Sequence, residues 1–474
     1  MWKRRLAIDG LLIVGVVGIT FAVLTWVVPL DQFQNSVSLV PVGPPKPKEP
    51  WAPSAQYDAE ANANFSVESA RPGNVPAAGK PSGADWPNFA GSHRDNQSAE
   101  QGLLSQWPAD GPTLAWISRG LGAGFSSVAV VNGVVYTMGN KGASETVLAL
   151  DAGTGKKLWA TPTGWASHPG QGDGPRGTPA VGHGKVFGLG AYGDLTCLDA
   201  HTGKTCWHTN VIDEFGSQLP GFGVCESVLV DQDRVVCTPG GPLATLVALQ
   251  ADTGQVVWKA ATPEHDHCAF ASATIAEVGG VRQYVQFTAE GTLGVRADDG
   301  QFLWRDNSAA NPQANCSAPL AIGDLVFSSS DYGVGASLVK LLPNASKFKT
   351  KLVYHTHEMS SHHGGMVAAG GLVYGSSGLG ILTCLDLKTG KPKWRNRSVG
   401  KGAITYADGR VYLRSEQGTV ALVEATGAGY HELGRFDQPE RSKSPDYSYP
   451  VVAEGKLFLR DQDVLLCYDL RPRP

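Results

Sequence analysis

From residue 85 onward, short stretches of β-branched and aromatic residues alternate with glycine-containing turns, and no helical period emerges. One unit recurs: Leu148-Ala-Leu-Asp151-Ala-Gly-Thr-Gly155-Lys-Lys-Leu-Trp159, with copies ending at Trp207, Trp258, Trp304 and Trp394 and weaker ones near Tyr354 and Tyr430. The tryptophans lie 48, 51 and 46 residues apart, then 90, which is two periods with Tyr354 at the missing position. Such a period is that of one four-stranded propeller blade. Within each unit, Asp-x-x-Thr-Gly predicts the tight hairpin between the last two strands. An earlier hairpin, Val128-Ala-Val-Val-Asn-Gly133-Val-Val-Tyr136, recurs at 179–187, 228–236, 273–284, 319–327, 366–374, 404–412 and 450–458, which makes eight blades. The last copy has no closing Trp strand after Leu465-Leu-Cys-Tyr-Asp469, whereas Leu114-Ala-Trp116-Ile-Ser118 stands alone before the first hairpin. That early strand is expected to complete the last blade, closing the ring and removing exposed sheet edges.

The repeated Ala-Leu-Asp-Ala-x-Thr-Gly-Lys-x-x-Trp unit resembles the pyrroloquinoline quinone (PQQ) repeat of quinoprotein propellers, over about residues 85–474. The opening Asp85-Trp-Pro-Asn-Phe-Ala-Gly-Ser-His-Arg-Asp95 is similar to the start of planctomycete-type PQQ-binding-like, polyvinylalcohol-dehydrogenase-like proteins. A more distant likeness is to BamB, the outer-membrane assembly lipoprotein. The resemblance implies an all-β, eight-bladed β-propeller. It says little about activity, because the repeated glycines and tryptophans dock blade to blade. Catalytic relatives hold the quinone with Ca²⁺ bound by Glu, Asn and Asp, many of them beside two adjacent cysteines. This chain has no adjacent cysteines and no matching calcium set, so PQQ and Ca²⁺ are not expected and no catalytic residue is assigned.

Ahead of the propeller, Leu11 to Leu30 are twenty positions without formal charge, enough at about 1.5 Å per residue to cross about 30 Å of hydrocarbon. Lys3, Arg4 and Arg5 precede this run, and Asp31 follows it with no base until Lys46. The short end 1–10 is therefore expected in the cytoplasm, 11–30 as a single-pass anchor in a bacterial inner membrane, and the propeller on the periplasmic side. A cleaved signal peptide is the competing reading; its apolar core would be roughly 7–15 residues before a small-x-small site, and here Trp26-Val-Val-Pro-Leu30 ends the run. Residues 31–84, with Pro41, Pro44, Pro45, Pro47, Pro50 and Pro53 and few large apolar side chains, are expected to be a disordered, partly extended linker.

Glycine, at 59 of 474 residues, exceeds the usual ~7 %, and charged residues fall to 17 % from about 25 %, as suits a turn-rich β protein. Lys and Arg number 39 against 43 Asp and Glu, so no positive field is offered to nucleic acid. Eight cysteines without CxxC or CxxCH exclude a zinc ribbon and attached c-type haem. Gly188-Leu-Gly190-Ala-Tyr-Gly193 fits GxGxxG but leads into a strand, so the helix that would bind phosphate is missing. Cys197, Cys384 and Cys467 fall at equivalent third-strand positions, a packing role; Cys206, across the hairpin from Cys197, is a packed thiol or its disulfide partner. His265, His267, His355, His357, His362 and His363 fall at blade junctions, ordinary turn positions, and no metal site is assigned.

First strands line the channel of a propeller. Two residues before the position held by Ser127, the eight blades carry Phe125, Arg176, Cys225, Phe270, Cys316, His363, Lys401 and Tyr447, richer in charged and reactive groups than the positions just after. These form the candidate pocket at the channel mouth, with Arg176 and Lys401 facing an anionic group; a hydrated mouth that tolerates any polar residue is the alternative. Two functions remain: a BamB-like, membrane-anchored scaffold taking a protein partner or small ligand at a propeller face, or a quinone-dependent alcohol dehydrogenase-like oxidoreductase. Alkaline carbonate should leave the chain in the membrane pellet; a soluble mature chain starting shortly after residue 30 would show a cleaved signal instead.

Overall fold

The computed structural model describes residues 46, 47, 49–69, 84–169 and 172–472. The expected anchor at 11–30 lies outside these residues, as do the end 1–10 and the linker at 31–45 and 70–83. Among the described residues no helix is long and apolar enough to cross a membrane.

Eight antiparallel sheets form the propeller, and their innermost strands are Ala129–Val131, Ala180–Gly182, Leu229–Asp231, Thr274–Val278, Leu320–Ile322, Ser361–Ala369, Gly402–Ala407 and Val451–Ala453, in blades one to eight. Blade one shows the plan: Ala129–Val131, Val134–Lys141, Ser144–Asp151 and Lys157–Trp165 pair in sequence order. Its first turn, Asn132-Gly133, has φ of 51° and 77°, the paired left-handed conformation of a two-residue hairpin. Blade eight takes its fourth strand from the other end of the propeller sequence: Thr113–Arg119 pairs with Val464–Asp469, and Trp116 lies opposite Cys467. The ring closes as expected.

The repeat has a direct physical reason. Asp151 accepts hydrogen bonds from the Thr154 N–H and hydroxyl, both at 2.7 Å, which tightens the turn and places Gly155 at φ 71°. A Cβ on Gly155 would meet the Trp116 ring of the preceding blade at 2.6 Å, and Trp116 donates its indole N–H to Ala152 O in the same turn. The arrangement recurs between blades: Gly203 lies against Trp159, Gly254 against Trp207, Gly300 against Trp258, and Gly390 against Tyr354. The indole N–H groups of Trp159, Trp207 and Trp258 reach Ala200, Ala251 and Ala297 carbonyls at 2.9–3.1 Å. At these five interfaces the aromatic ring thus needs a glycine in the next blade, and the four indole N–H groups are satisfied there.

The segment after residue 84 closes the channel at the end opposite the candidate pocket. Trp86 exchanges two backbone hydrogen bonds with Val130, Val181 N–H donates to Pro87 O, and Tyr406 N–H donates to Asn96 O, so the segment caps inner-strand edges on several sides. Gln97–Ser98 adds a short parallel strand to Gly402–Ala407. At the centre, the buried Arg94 guanidinium donates to Ala273, Val228 and Ser227 carbonyls at 2.6, 3.0 and 2.8 Å. Burial pulls its pKa down to about 10, which still leaves it charged at neutral pH. Asn96 reaches across to the Met366 carbonyl at 3.0 Å.

The disordered linker expected over 31–84 is corrected within residues 49–69. Trp51 is buried and packs on His208 of blade two. A helix, Ala55–Asn62, capped by Ser54, lies along blade one, where the Glu60 carboxylate accepts from the Ala143 N–H. Ser66–Ser69 then adds an outer strand to Thr113–Arg119, with Glu68 paired to Arg119 at 2.8 Å. Composition concealed this, because the strap owes its order to the propeller surface and not to a core of its own.

Replacing Arg94 with Ala should destabilise the fold by about 3–5 kcal/mol, since three buried carbonyls lose a charged donor. Urea melting checks this, and a loss under about 1 kcal/mol would mean that water replaces the guanidinium freely.

Candidate functional site

The closed channel leaves a cavity of about 190 Å³ on the ring axis, open at the other end. Seven of the eight candidate residues line it: Phe125, Arg176, Cys225, Phe270, Cys316, His363 and Tyr447. They converge because each sits at the same register ahead of the regular pairing of an inner strand, His363 falling in the irregular start of Ser361–Ala369. Lys401 is absent from the lining; it forms an ion pair with Glu416 at 3.0 Å, and the same Glu416 oxygen lies 2.6 Å from His363 Nε2. The expected facing of Arg176 and Lys401 across one ligand is corrected to Arg176 alone. Below this tier, hydroxyls tie neighbouring blades together: Ser127 N–H donates to Thr178, Thr178 N–H to Ser227, and Ser227 N–H to Ser272, at 3.2, 2.8 and 2.9 Å.

The wall is a chain of rings. Phe125 stacks on Tyr447 with centroids 5.0 Å apart, Tyr447 meets His363 at 4.5 Å, His363 meets His362 at 5.2 Å, and His362 meets Tyr332 at 5.4 Å. Phe222 and Phe270 face each other at 5.5 Å, and Phe89 from the closing segment packs on Tyr449 at 4.9 Å. The Arg176 guanidinium lies 5.1 Å from the Phe125 ring centre and donates to Gly174 and Gly172 carbonyls at 3.2 Å. Phe89, Phe222, Tyr332, His362 and Tyr449 were not among the candidates. His362 was legible beside His363, and Tyr449 stands at the Ser127 register; Phe89, Phe222 and Tyr332 come from segments outside the strand repeat and left no periodic signal.

Burial sets the charge state of this wall. It lowers His362 to about 4 and His363 well below its ordinary value, and it raises the Cys225 and Cys316 thiols to about 11 and 12. Tyr332, Tyr447 and Tyr449 are raised by the same cause. All seven are therefore neutral at pH 7. Glu145, near enough to feel the Arg176 charge, is fully buried, and burial pushes it up to about 8 despite donation from the Ser167 hydroxyl and Ala191 N–H. Gly188-Leu-Gly190-Ala-Tyr-Gly193 is the turn that covers this carboxyl: a Cβ on Gly190 would meet Glu145 Oε2 at 2.1 Å. The motif thus serves packing.

All eight cysteines are free thiols, Cys197 buried and Cys206 exposed. Among the described residues, no three His, Cys, Asp or Glu side chains converge as a metal site. A Ca²⁺ ion takes six to eight oxygen ligands, with carboxylates prominent among them. The cavity lining contains no Asp, Glu, Asn or Gln, so its donor set does not fit a Ca²⁺-held quinone.

The PQQ_2 family model, described as outer membrane protein assembly factor BamB, matches residues 143–396, more than half of the chain. The chain belongs to this family. BamB of Yersinia pestis is 24 % identical over 286 residues, covering 59 % of this chain and 70 % of the relative. The dehydrogenase subunit of a quinone alcohol dehydrogenase from Komagataeibacter europaeus is 33 % identical over 156 residues, 30 % of this chain and 20 % of the relative. The chain thus spans about a fifth of the length of such dehydrogenase relatives. Among solved structures, BamB from Moraxella catarrhalis superposes with a TM-score of 0.54 at 15 % identity, covering 74 % of this chain and 95 % of that one. The quinohemoprotein alcohol dehydrogenase of Comamonas testosteroni gives 0.54 at 13 % identity, covering 84 % and 82 %. At these identities the likeness is one of fold, shared by both branches.

Neutral Glu145 makes stability pH-dependent. Unfolded, the group titrates near 4.5, so its contribution is complete below that pH and is lost as pH rises to about 8. His362 acts in the opposite sense, but only between about 4 and 6.5. From pH 6.5 to 8 unfolding free energy should fall by about 2 kcal/mol, with buried Glu226, raised to about 7, adding to Glu145 only at the lower end, and Glu145→Gln should flatten most of the slope above pH 7 in urea melts. An unchanged slope would mean that Glu145 is already ionised when folded.

Proposed function

We propose that the protein is a membrane-anchored, periplasm-facing binding scaffold whose blind central cavity takes a small ligand, without quinone redox chemistry. The observation that carries this reading is the cavity wall: aromatic rings, Ser and Thr hydroxyls, neutral thiols and imidazoles and one guanidinium, with no carboxylate or carboxamide to ligate a metal-held quinone. A protein partner at the mouth is a compatible part of the same role. Leu243 and Leu379 are 60 % and 76 % exposed on the turns between second and third strands of blades three and six, the turn type that brings Tyr332 to the cavity. The anchoring rests on the uncharged run 11–30 behind Lys3, Arg4 and Arg5.

A second reading, a quinone-dependent alcohol dehydrogenase, is favoured by the 33 % identity to such subunits, confined to under a third of the chain. Titrating the purified full chain with PQQ and Ca²⁺ separates the two. The scaffold reading expects no saturable change in cofactor absorbance and no reduction of an artificial electron acceptor by alcohols. Quinone-dependent acceptor reduction would establish the oxidoreductase.

A further inference from the structure

We infer that the cavity selects a small, flat apolar ligand carrying one negative charge, its acid group on Arg176 and its ring system inside the aromatic wall. This rests on the reading of the cavity as a binding site.

The first argument is charge. Cys225, Cys316, Tyr332, His362, His363, Tyr447 and Tyr449 are neutral at pH 7 for the reasons given above, so the lining carries a single formal charge, on Arg176. In the layer behind, Lys401 and Glu416 offset each other. Among the described residues no carboxylate forms an ion pair with Arg176, and Glu145 is a protonated acid at that pH. A guanidinium has five N–H donors. Two N–H groups are engaged by the Gly172 and Gly174 carbonyls, leaving donors for a carboxylate. The Phe125 ring, 5.1 Å away, adds a cation–π contact that helps hold the guanidinium in place.

The second argument is shape and polarity. At about 190 Å³ the cavity has room for on the order of a dozen water positions, and rings cover most of its wall, from Tyr332 through His362, His363 and Tyr447 to Phe125. A bicyclic ring fits within such a space and recovers apolar burial against the rings. A quaternary ammonium also suits aromatic cages; here it would face Arg176 with no carboxylate in the lining to offset the repulsion, the nearby Asp331 acting on Cys316, Tyr332 and His362 only as a charge outside the wall. A polycarboxylate would bury charges that one guanidinium cannot balance.

The test uses the full chain held in an amphipathic polymer and three probes of one shape: 2-naphthoate, 2-naphthamide and 2-naphthyltrimethylammonium, titrated calorimetrically at pH 7. Naphthoate should bind at least tenfold more tightly than naphthamide, and the ammonium should not bind. Arg176→Gln should weaken naphthoate tenfold or more while leaving naphthamide within about twofold; Phe270→Ala should weaken both. Because Arg176 also ties down a loop, a melting curve accompanies each variant, and the wild-type ranking of probes stands without either variant. If naphthamide or the ammonium binds as tightly as naphthoate, the charge assignment is wrong although the cavity remains a binding site. If none of the three binds the folded chain, both the ligand class and the cavity reading fall.

Discussion

The contact on which the rest of the structure depends is an aromatic ring of one blade laid flat on a glycine turn of the next. Trp116 on Gly155, Trp159 on Gly203, Trp207 on Gly254, Trp258 on Gly300 and Tyr354 on Gly390 repeat it around the ring. Because the turn glycine is both left-handed and in van der Waals contact with the ring, blade spacing cannot drift without a clash or an orphaned indole N–H. Fixed spacing, in turn, brings eight equivalent inner-strand positions to one circle. Trp116 belongs to the strand that joins the two ends of the propeller, so closure and docking are one event at the seam between blades eight and one.

A ring so built still leaves an open tube. The closing segment converts it into a blind cavity by pairing with the inner edges of blades one, two and seven and by spending one arginine on carbonyls of blades three and four. Among the described residues that line the cavity, Arg176 is then the one Lys or Arg side chain. Burial raises the thiols further above neutrality and holds the imidazoles uncharged, groups that sequence alone suggests as reactive. What survives is a wall of rings, hydroxyls, uncharged thiols and imidazoles and one guanidinium, with no carboxylate or carboxamide in the lining.

Blade count, hairpins and the seam were legible because they rest on local turn chemistry and a period that one chain repeats many times. Seven lining residues were legible for the same reason: strand register converts sequence position into ring position. Lys401 was misread because its partner, Glu416, comes from the turn after the next strand, and only the fold shows that the charge is already used. Arg94 left no signature, since its partners are backbone carbonyls, which every sequence possesses. The helix Ala55–Asn62 and strand Ser66–Ser69 were hidden by a linker-like composition, their order being borrowed from blades one and eight.

Native-state hydrogen exchange at the closing segment tests the account most directly, by following the amides that bind it: Trp86 and Val130 to each other, Val181 to Pro87, and Tyr406 to Asn96. If the segment is integral to the ring, these amides exchange only through the same global opening as buried inner-strand amides such as those paired between Leu229 and Val236. Exchange of Trp86, Val181 and Tyr406 at the rate of a fraying terminus, while the Leu229–Val236 pair stays protected, would mean that the channel is open and the blind cavity does not exist.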